Sequence, residues 1–589
     1  MKTVYKIAII AAIAATQGAY AQKKDENIGT EVVNVVKPYT PTISDAFKVK
    51  ETPVIEDDEN STKKEIQYNI FSYPVASTFS PAKGRAAAVD KEAREKYFNN
   101  YATLALGNYG TINGEVFVTQ NLEDGQYVGG MLRHLSSQGG IEGVKLDDNY
   151  STTGIDLTYG NRQKEYTWST DLGYQRQGYN WYGFDYSLFD ENAMSTDLDI
   201  KQIYNTAYVG GKLTMRDGFF HEAQAQYKRF WDGFNSAENR FFITPSFDLD
   251  ISETKVKFDV VADYVGGDFD RDYYFDEAQT YSNFNLGIQP SIQYQNKDLA
   301  VQFGAGVFYS MGKQNDNSKN KFYIYPQITA SYKVVGDLMV AYAGAEGTLK
   351  QNSYADFAGQ NPFVSPTLTI APTNQQYDIY VGLKGKLASA ISYNLRGSYM
   401  NEDDRAFFVN NPQAGMLPDV VNDRNYALGN SFGLVYDNLK TVSFFGELKA
   451  DFSNTVRFGI NGTYFSYTTG DQQEAWNLPS IKVGANLDVD ITEKWYAGTN
   501  IFFVGDRKDF VHLPGEASGG EPFIIPSDPQ VVTLKSYFDV NANVGYHYND
   551  RLTGFIKLNN ITGQNYQKWV YYPVQGFQFM LGATYKFNL

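Results

Sequence analysis

From Ser536 to Gly563 the chain reads SYFDVNANVGYHYNDRLTGFIKLNNITG, and its apolar side chains fall on every second position. Phe538, Val540, Ala542, Val544, Tyr546 and Tyr548 share one side, while Tyr537, Asp539, Asn541, Asn543, Gly545 and His547 share the other. After the turn NDR, Leu552, Gly554, Ile556 and Leu558 oppose Thr553, Phe555, Lys557 and Asn559. Period two makes a strand with two unlike faces, and the tight polar turn makes a hairpin. The same pattern recurs in TVSFFGELKADF (441–452) and TVRFGINGTYFSY (455–467), and it extends from about Tyr101 to Leu589. An apolar face repeated this often must meet either a second sheet or lipid.

Loop length separates the two. Short turns recur at 160–165, 215–218, 252–255, 296–298, 334–337, 388–390, 492–494 and 549–551. Longer polar loops alternate with them at about 180–200, 268–280, 313–320, 350–375, 402–438, 469–479 and 506–530, with 424–438 readable as strand or loop. Sandwiches and propellers have no reason to sort loop length by strand parity, whereas outer-membrane barrels keep short turns on the periplasmic side and long loops outside. The expectation is an all-β chain, a transmembrane antiparallel β-barrel of about 22 strands with both termini periplasmic. Its apolar face meets lipid and its polar face lines a lumen.

Composition agrees once the barrel is in view. Mean hydropathy is only −0.41, and no apolar run long enough for a membrane helix follows the first residues. Tyr 46, Phe 40 and Gly 52 suit strands that carry aromatic belts at the lipid interfaces. The absence of cysteine from all 589 residues removes thiol chemistry and disulfide scaffolds, and a net charge of −16 disfavours nucleic acid.

The start of the chain differs in kind. Lys2 and Lys6, an apolar run from Ile7 to Ala15, and the small-x-small site Ala19-Tyr20-Ala21 read as a signal peptide over 1–21, cut before Gln22. Residues 22–100 contain Pro38, Pro41, Pro53, Pro74 and Pro81, which forbid a continuous sheet, and only Ala86–Tyr97 has helical character. This segment reads as an extended periplasmic arm, and 101–589 as the barrel.

The final strand, GFQFMLGATYKFNL, puts Phe577, Phe579, Leu581, Ala583, Tyr585, Phe587 and Leu589 on one face. Tyr585, Phe587 and Leu589 resemble the C-terminal assembly signal of outer-membrane barrels, although a terminal aromatic is usual where Leu589 stands. The segment LNNITGQNYQKWVYYPVQGFQFMLGATYKF (558–587) resembles the closing segment of TonB-dependent receptors, especially those of Bacteroidota. Near the mature N-terminus, Thr30, Glu31, Val32, Val33, Asn34, Val35 and Val36 (TEVVNVV) resemble the TonB box, which implies pairing as an added strand with the energising protein. A strand lying against this protein's own barrel would read the same way.

The family's barrel is occluded by a plug domain larger than the segment Gln22–Asn100. The resemblance is therefore to a receptor-type barrel without an evident plug. A barrel this wide is normally plugged, so its lumen calls for the arm, folded-in loops such as 350–375 and 402–438, or a partner. Two functions follow: a cell-envelope transport protein, or a structural or accessory subunit of an outer-membrane assembly or secretion complex. The partners implied are outer-membrane lipid, the barrel-assembly machinery during insertion, and TonB or an outer-membrane lipoprotein or protein complex.

The sequence gives little reason to expect an enzyme. His134 and Ser136 share a strand face, as in membrane-embedded lipases, but no acid can be assigned to them, and a lumen or interface pair is the better reading. His221, His512 and His547 are scattered. Asp268, Asp270, Asp272 and Asp276 alternate like the first ligands of a calcium loop, but Tyr273 and Gln279 stand where glycine and glutamate are needed, so a solvated acidic loop is expected over a calcium site, and no other cofactor is expected. Residues 345–376 are rich in Asn, Gln, Thr and aromatics, a composition compatible with carbohydrate or peptide ligands and with any wet loop.

Overall fold

The computed structural model describes residues 98–184, 199–251, 254–413, 425–453, 455–512 and 529–589. The expected cleavage site at Ala19, Ala21 and Gln22, the segment Thr30–Val36 and the helical stretch Ala86–Tyr97 lie outside the described residues.

The wall begins with β1 (Asn100–Gly107), β2 (Ile112–Asn121), β3 (Gln126–Ser137), β4 (Tyr150–Arg162), β5 (Tyr166–Asn180), β6 (Lys201–Met215) and β7 (Phe220–Asp232). It continues through β8 (Ala237–Ile251), β9 (Thr254–Phe269), β10 (Gln279–Gln295), β11 (Leu299–Gln314), β12 (Asn317–Val335), β13 (Met339–Lys350) and β14 (Thr373–Ala388). Then come β15 (Ile391–Asn410), β16 (Phe432–Ser453), β17 (Val456–Thr469), β18 (Ile481–Asp490) and β19 (Trp495–Val504). Two short hairpins interrupt the last part: β20 (Arg507–Val511) with β21 (Gln530–Leu534), and β24 (Gln567–Trp569) with β25 (Tyr572–Pro573). Between and after them β22 (Tyr537–His547), β23 (Leu552–Asn559) and β26 (Gln578–Phe587) complete the wall.

These form one 22-stranded antiparallel sheet. It closes on itself, because β1 pairs with β26 from Asn100↔Phe587 to Gly107↔Met580. Closure satisfies every ladder and leaves no edge, the condition for a sheet to stand in hydrocarbon. The result is the transmembrane barrel that the alternation predicts.

The faces follow the pleat. Leu172, Val381, Phe444 and Leu581 point outward and are exposed. Inward positions carry paired polar groups instead: Tyr208 Oη donates to Asp156 at 2.7 Å, and Arg133 bridges the same carboxylate at 2.5 Å. Lys350 meets the buried Glu402 at 2.9 Å. Several inward glycines are set by close approach: a Cβ on Gly173 would strike the ring of Tyr208, and one on Gly545 the ring of Tyr496.

Two expected loops are mostly strand. Gln314 pairs with Asn317, so the β11–β12 hairpin runs through 313–320 with only a tight turn. Its outer residues are polar because ladder bonds alone extend the strands there, and no apolar burial marks them. Likewise β15 reaches Asn410 and β16 starts at Phe432, which shrinks the 402–438 loop to 411–431. The alternation fades at that point because both faces are covered, with Phe407 and Phe408 both buried.

On β22, Val544 is 38% exposed on the outward face, while its neighbour Asn543 points inward. Val544→Arg is expected to cost about 2–4 kcal/mol and impair assembly, whereas Asn543→Arg is tolerated. Urea titration in lipid vesicles checks the order, and the reverse order would contradict the facing.

Candidate functional site

The connections at the end of the barrel opposite Asn100 and Phe587 turn inward and pack together. The one between β13 and β14 carries a helix, α1 (Tyr354–Gln360). Ser353 starts it by accepting the amide of Asp356 at 3.0 Å. Its buried face is Tyr354, Phe357 and Ala358, and a helix this short is held by its contacts more than by its own hydrogen bonds.

The barrel wall supplies those contacts. Glu238 on β8 is buried and accepts the amides of Tyr354 and Ala355 at 2.6 and 3.2 Å, and the hydroxyl of Tyr281 at 2.6 Å. Asp232 on β7 accepts the Tyr354 hydroxyl at 2.8 Å. Arg240 forks onto Asp263 at 3.0 and 2.7 Å and also reaches Asp356 at 2.9 Å, while Lys228 lies 3.5 Å from Asp356. Partial burial alone would raise the Asp356 carboxyl, but the cations of Lys228 and Arg240 outweigh it and hold the group below its usual range.

Above this anchor lies an aromatic roof. The Tyr354 ring meets Phe230 edge-on at 5.0 Å and Phe269 at 5.1 Å. Phe363 stacks on Tyr572 at 3.6 Å, and Tyr182 approaches Tyr572 at 4.9 Å. Trp181 lies against Phe234 at 5.3 Å and Tyr426 at 5.6 Å, and Trp569 against Phe408 at 5.1 Å. Apart from the partly buried Phe234 and Phe363, which pack against it, these residues belong to a single buried cluster, which the connections after β3, β5, β9, β13, β15, β19 and β23 all enter. Polar crosslinks fix it: Asn430 donates to the carbonyls of Trp181 and Asn425, both at 2.9 Å, and Tyr572 donates to the carbonyl of Asn430. Gln575 reaches Ser137 and the Gly139 carbonyl, each at 2.8 Å.

The β20–β21 hairpin adds a buried charge to this end. Arg507 donates to the carbonyls of Lys568 and Gln567. Beside it Asp509 is fully buried, accepting the amide of Phe510 at 2.8 Å. Burial pushes the Asp509 carboxyl up to about 7, against the opposing pull of that amide and of Arg507.

The sequence-predicted sites fall as follows. Loop 350–375 does fold inward, and residues 345–376 contain α1; composition marked the segment, but nothing in the sequence marked its partners Glu238, Asp232 and Arg240 on distant strands. His134 and Ser136 do share a face, the outward one: His134 Nε2 lies 3.1 Å from Ser136 Oγ, and Nδ1 lies 2.8 Å from Thr153 Oγ1. A threonine thus stands where a catalytic acid would be needed. The aspartates of the calcium-like loop are placed separately: Asp268 lies in β9 as the register partner of Ala237 on β8, Asp272 accepts the amide of Tyr274 at 2.9 Å, and Arg271 lies 3.5 Å from both Asp270 and Asp276. Among the described residues no three acidic or histidine side chains converge as a metal site would require. His221 faces Asp248 at 3.7 Å, His547 bonds Thr553 at 2.8 Å and His512 packs on Phe510. Tyr585 and Phe587 lie on β26, with Leu589 just beyond it.

No protein-family model matches the sequence, and neither do the curated proteins. Solved structures do share the fold. The outer-membrane ferripyoverdine receptor of Pseudomonas aeruginosa superposes with a TM-score of 0.59 at 12% identity, over 84% of this chain and 72% of that one. The siderophore receptor PiuA from Acinetobacter baumannii gives 0.58 at 10%, over 84% and 82%. The ferric-catecholate import receptor Fiu from E. coli gives 0.59 at 9%, over 84% and 82%. At these identities the likeness is one of fold.

The folded Asp509 holds its proton more tightly than an unfolded aspartate, so the stability of its surroundings is full below about pH 4, declines as pH rises towards about 7, and is flat above that. Amide-exchange protection of β20, corrected for intrinsic rates, is expected to fall on the order of tenfold or more between acid and neutral pH. Asp509→Asn should abolish that dependence, and an equally pH-dependent variant would contradict the assignment.

Proposed function

We propose that this chain is an outer-membrane transport protein of the TonB-dependent receptor type, with its loops outside and residues 22–99 in the periplasm. The observation that carries the reading is the roof: a 22-stranded barrel whose mouth is covered by its own packed loops rather than left as a pore. A permanently open lumen of this width would leak, and a roof built from connections can move without breaking the wall. The fold-level neighbours act as siderophore and iron receptors, which makes a ferric chelate the first solute to try. In this reading Thr30–Val36 adds as a strand to the energising protein. The chain is a carrier and not an enzyme.

One observation favours a second reading, a structural subunit of an outer-membrane complex. The roof is anchored by buried carboxylates and tight ring stacking, as a permanent lid would be.

Val33→Pro separates the two, because proline removes the amide that strand addition uses and leaves the barrel alone. Cross-linking in native membranes is expected to capture the energising protein with the parent chain and not with the variant, alongside loss of ferric-catecholate uptake. Equal capture of assembly or secretion components by both, with uptake absent from both, would support the second reading.

A further inference from the structure

The lumen face of the wall changes character at β10 and β11. The exposed Leu286 and Tyr294 fix the outward side of β10, and Phe303 and Tyr309 that of β11. The opposite side faces the lumen and carries Asn285, Gln289 and Ser291 on β10 and Gly304, Gly306 and Phe308 on β11. β10 holds no charged residue, and β11 holds only Lys313, on its outward side. Ion pairs return on both flanks: Lys257 lies 3.3 Å from Asp259 on β9, and Arg396 lies 2.5 Å from Asp378 across β14 and β15. At its loop end the neutral strip is tied to the β13–β14 connection, where Asn283 donates to the carbonyl of Ile370 at 3.3 Å and Asn285 donates to Gln351.

Nearer the turn end, several inward polar atoms are enclosed without a partner. Ser246 on β8, Ser291 on β10 and Gln327 on β12 are 7%, 0% and 1% exposed. Ser246 Oγ, Asp259 Oδ1, Ser291 Oγ and Gln327 Oε1 make no hydrogen bond within the protein, a state that costs free energy until a partner arrives. The amide of Gln327 is spent on the Gly347 carbonyl at 2.6 Å, and the second oxygen of Asp259 on Lys257. Two acceptors and two hydroxyls therefore remain. The register keeps them together: Ser246 faces Asp259, Asp259 faces Gln289 one same-face step from Ser291, and Gly304 stands between Ser291 and Gln327. At about 4.8 Å between strands and about 7 Å between same-face neighbours, the four span a patch of about 19 by 7 Å. Gly304 puts no side chain between Ser291 and Gln327. Next on the same face of β12, Tyr325 and Tyr323 lie with parallel rings 6.1 Å apart, Phe308 meets Tyr325 edge-on at 5.6 Å, and Lys321 lies over the Tyr323 ring at 5.0 Å. Tyr325 is buried and Tyr323 only half-buried.

We propose that this strip of lumen wall binds a neutral polyhydroxylated solute, an oligosaccharide, whose hydroxyls bond Ser246, Asp259, Ser291 and Gln327 and whose ring face packs on Tyr323. A hydroxyl both donates and accepts, so one extended ligand satisfies all four atoms. An anionic chelate brings acceptors alone, which would leave Asp259 and Gln327 facing further acceptors. The uncharged faces of β10 and β11 supply no counter-ion for it either. The inference rests on the transport reading and adds a solute class that the fold-level neighbours do not suggest.

The full chain in detergent micelles is titrated calorimetrically with maltotetraose, cellotetraose and xylotetraose, and with tetragalacturonate as the anionic counterpart. Saturable binding of at least one neutral probe is expected, with weaker binding of tetragalacturonate. The double variant Ser291→Ala, Gln327→Leu should weaken the neutral probe on the order of tenfold or more. Tyr323→Leu should weaken it too, while Tyr323→Phe keeps it and Asn543→Leu, across the lumen on β22, leaves it unchanged. The preference for a neutral probe is read on the parent chain alone, so it stands as a test whether or not the variants fold. No binding of any neutral probe, equal affinity for tetragalacturonate, or unchanged affinity in the folded double variant would each overturn the proposal. Ferric-catecholate uptake by a chain that binds no sugar would refute this site and leave the transport reading in place. Sugar binding by a chain whose cross-linking is indifferent to Val33→Pro would support the site and count against that reading.

Discussion

Every backbone amide and carbonyl that enters hydrocarbon must find a partner within the protein, and for this chain the pairing of β1 with β26 is what meets that demand. Without it, 22 strands would present two unpaired edges to lipid. Because the sheet closes, alternation acquires its meaning: one side of each strand faces lipid, the other water. The paired charges inside and the outward leucines and phenylalanines are two readings of one pleat.

Closure also creates a difficulty, since a ring of this many strands encloses more space than wall side chains fill. The connections answer it at one end. They bring large aromatic side chains into a shared cluster, and the polar atoms carried in with them are bonded: Glu238 takes two helix amides and a phenol, and Asn430 ties two carbonyls. Breaking one of these would strand a buried charge or amide, which costs more than a lost contact on the surface. That is why α1, too short to persist alone, holds its place.

The sequence made the barrel legible because period two survives wherever one face is wet and the other meets lipid. It faltered where that contrast disappears. Around Phe407 and Phe408 both faces are covered, and in the β11–β12 hairpin beyond the membrane both are wet, so strands there looked like loops. The roof was less legible still. Residues 345–376 stood out by composition, yet their anchors Asp232, Glu238 and Arg240 look like ordinary lumen residues until the ring closes and brings them opposite α1. The pair His134 and Ser136 stood out in the sequence, but only the register reveals that it faces outward with Thr153 and Arg176 beside it.

The central claim is that the loops themselves close the barrel, with the β13–β14 connection as keystone. Conductance across a planar bilayer tests it most directly, comparing the parent chain with one in which residues 352–371 are replaced by a short glycine-serine linker. The account predicts a parent chain without steady current and a variant that conducts as a wide pore. A parent chain that conducts steadily, or a correctly inserted variant that stays silent, would contradict it.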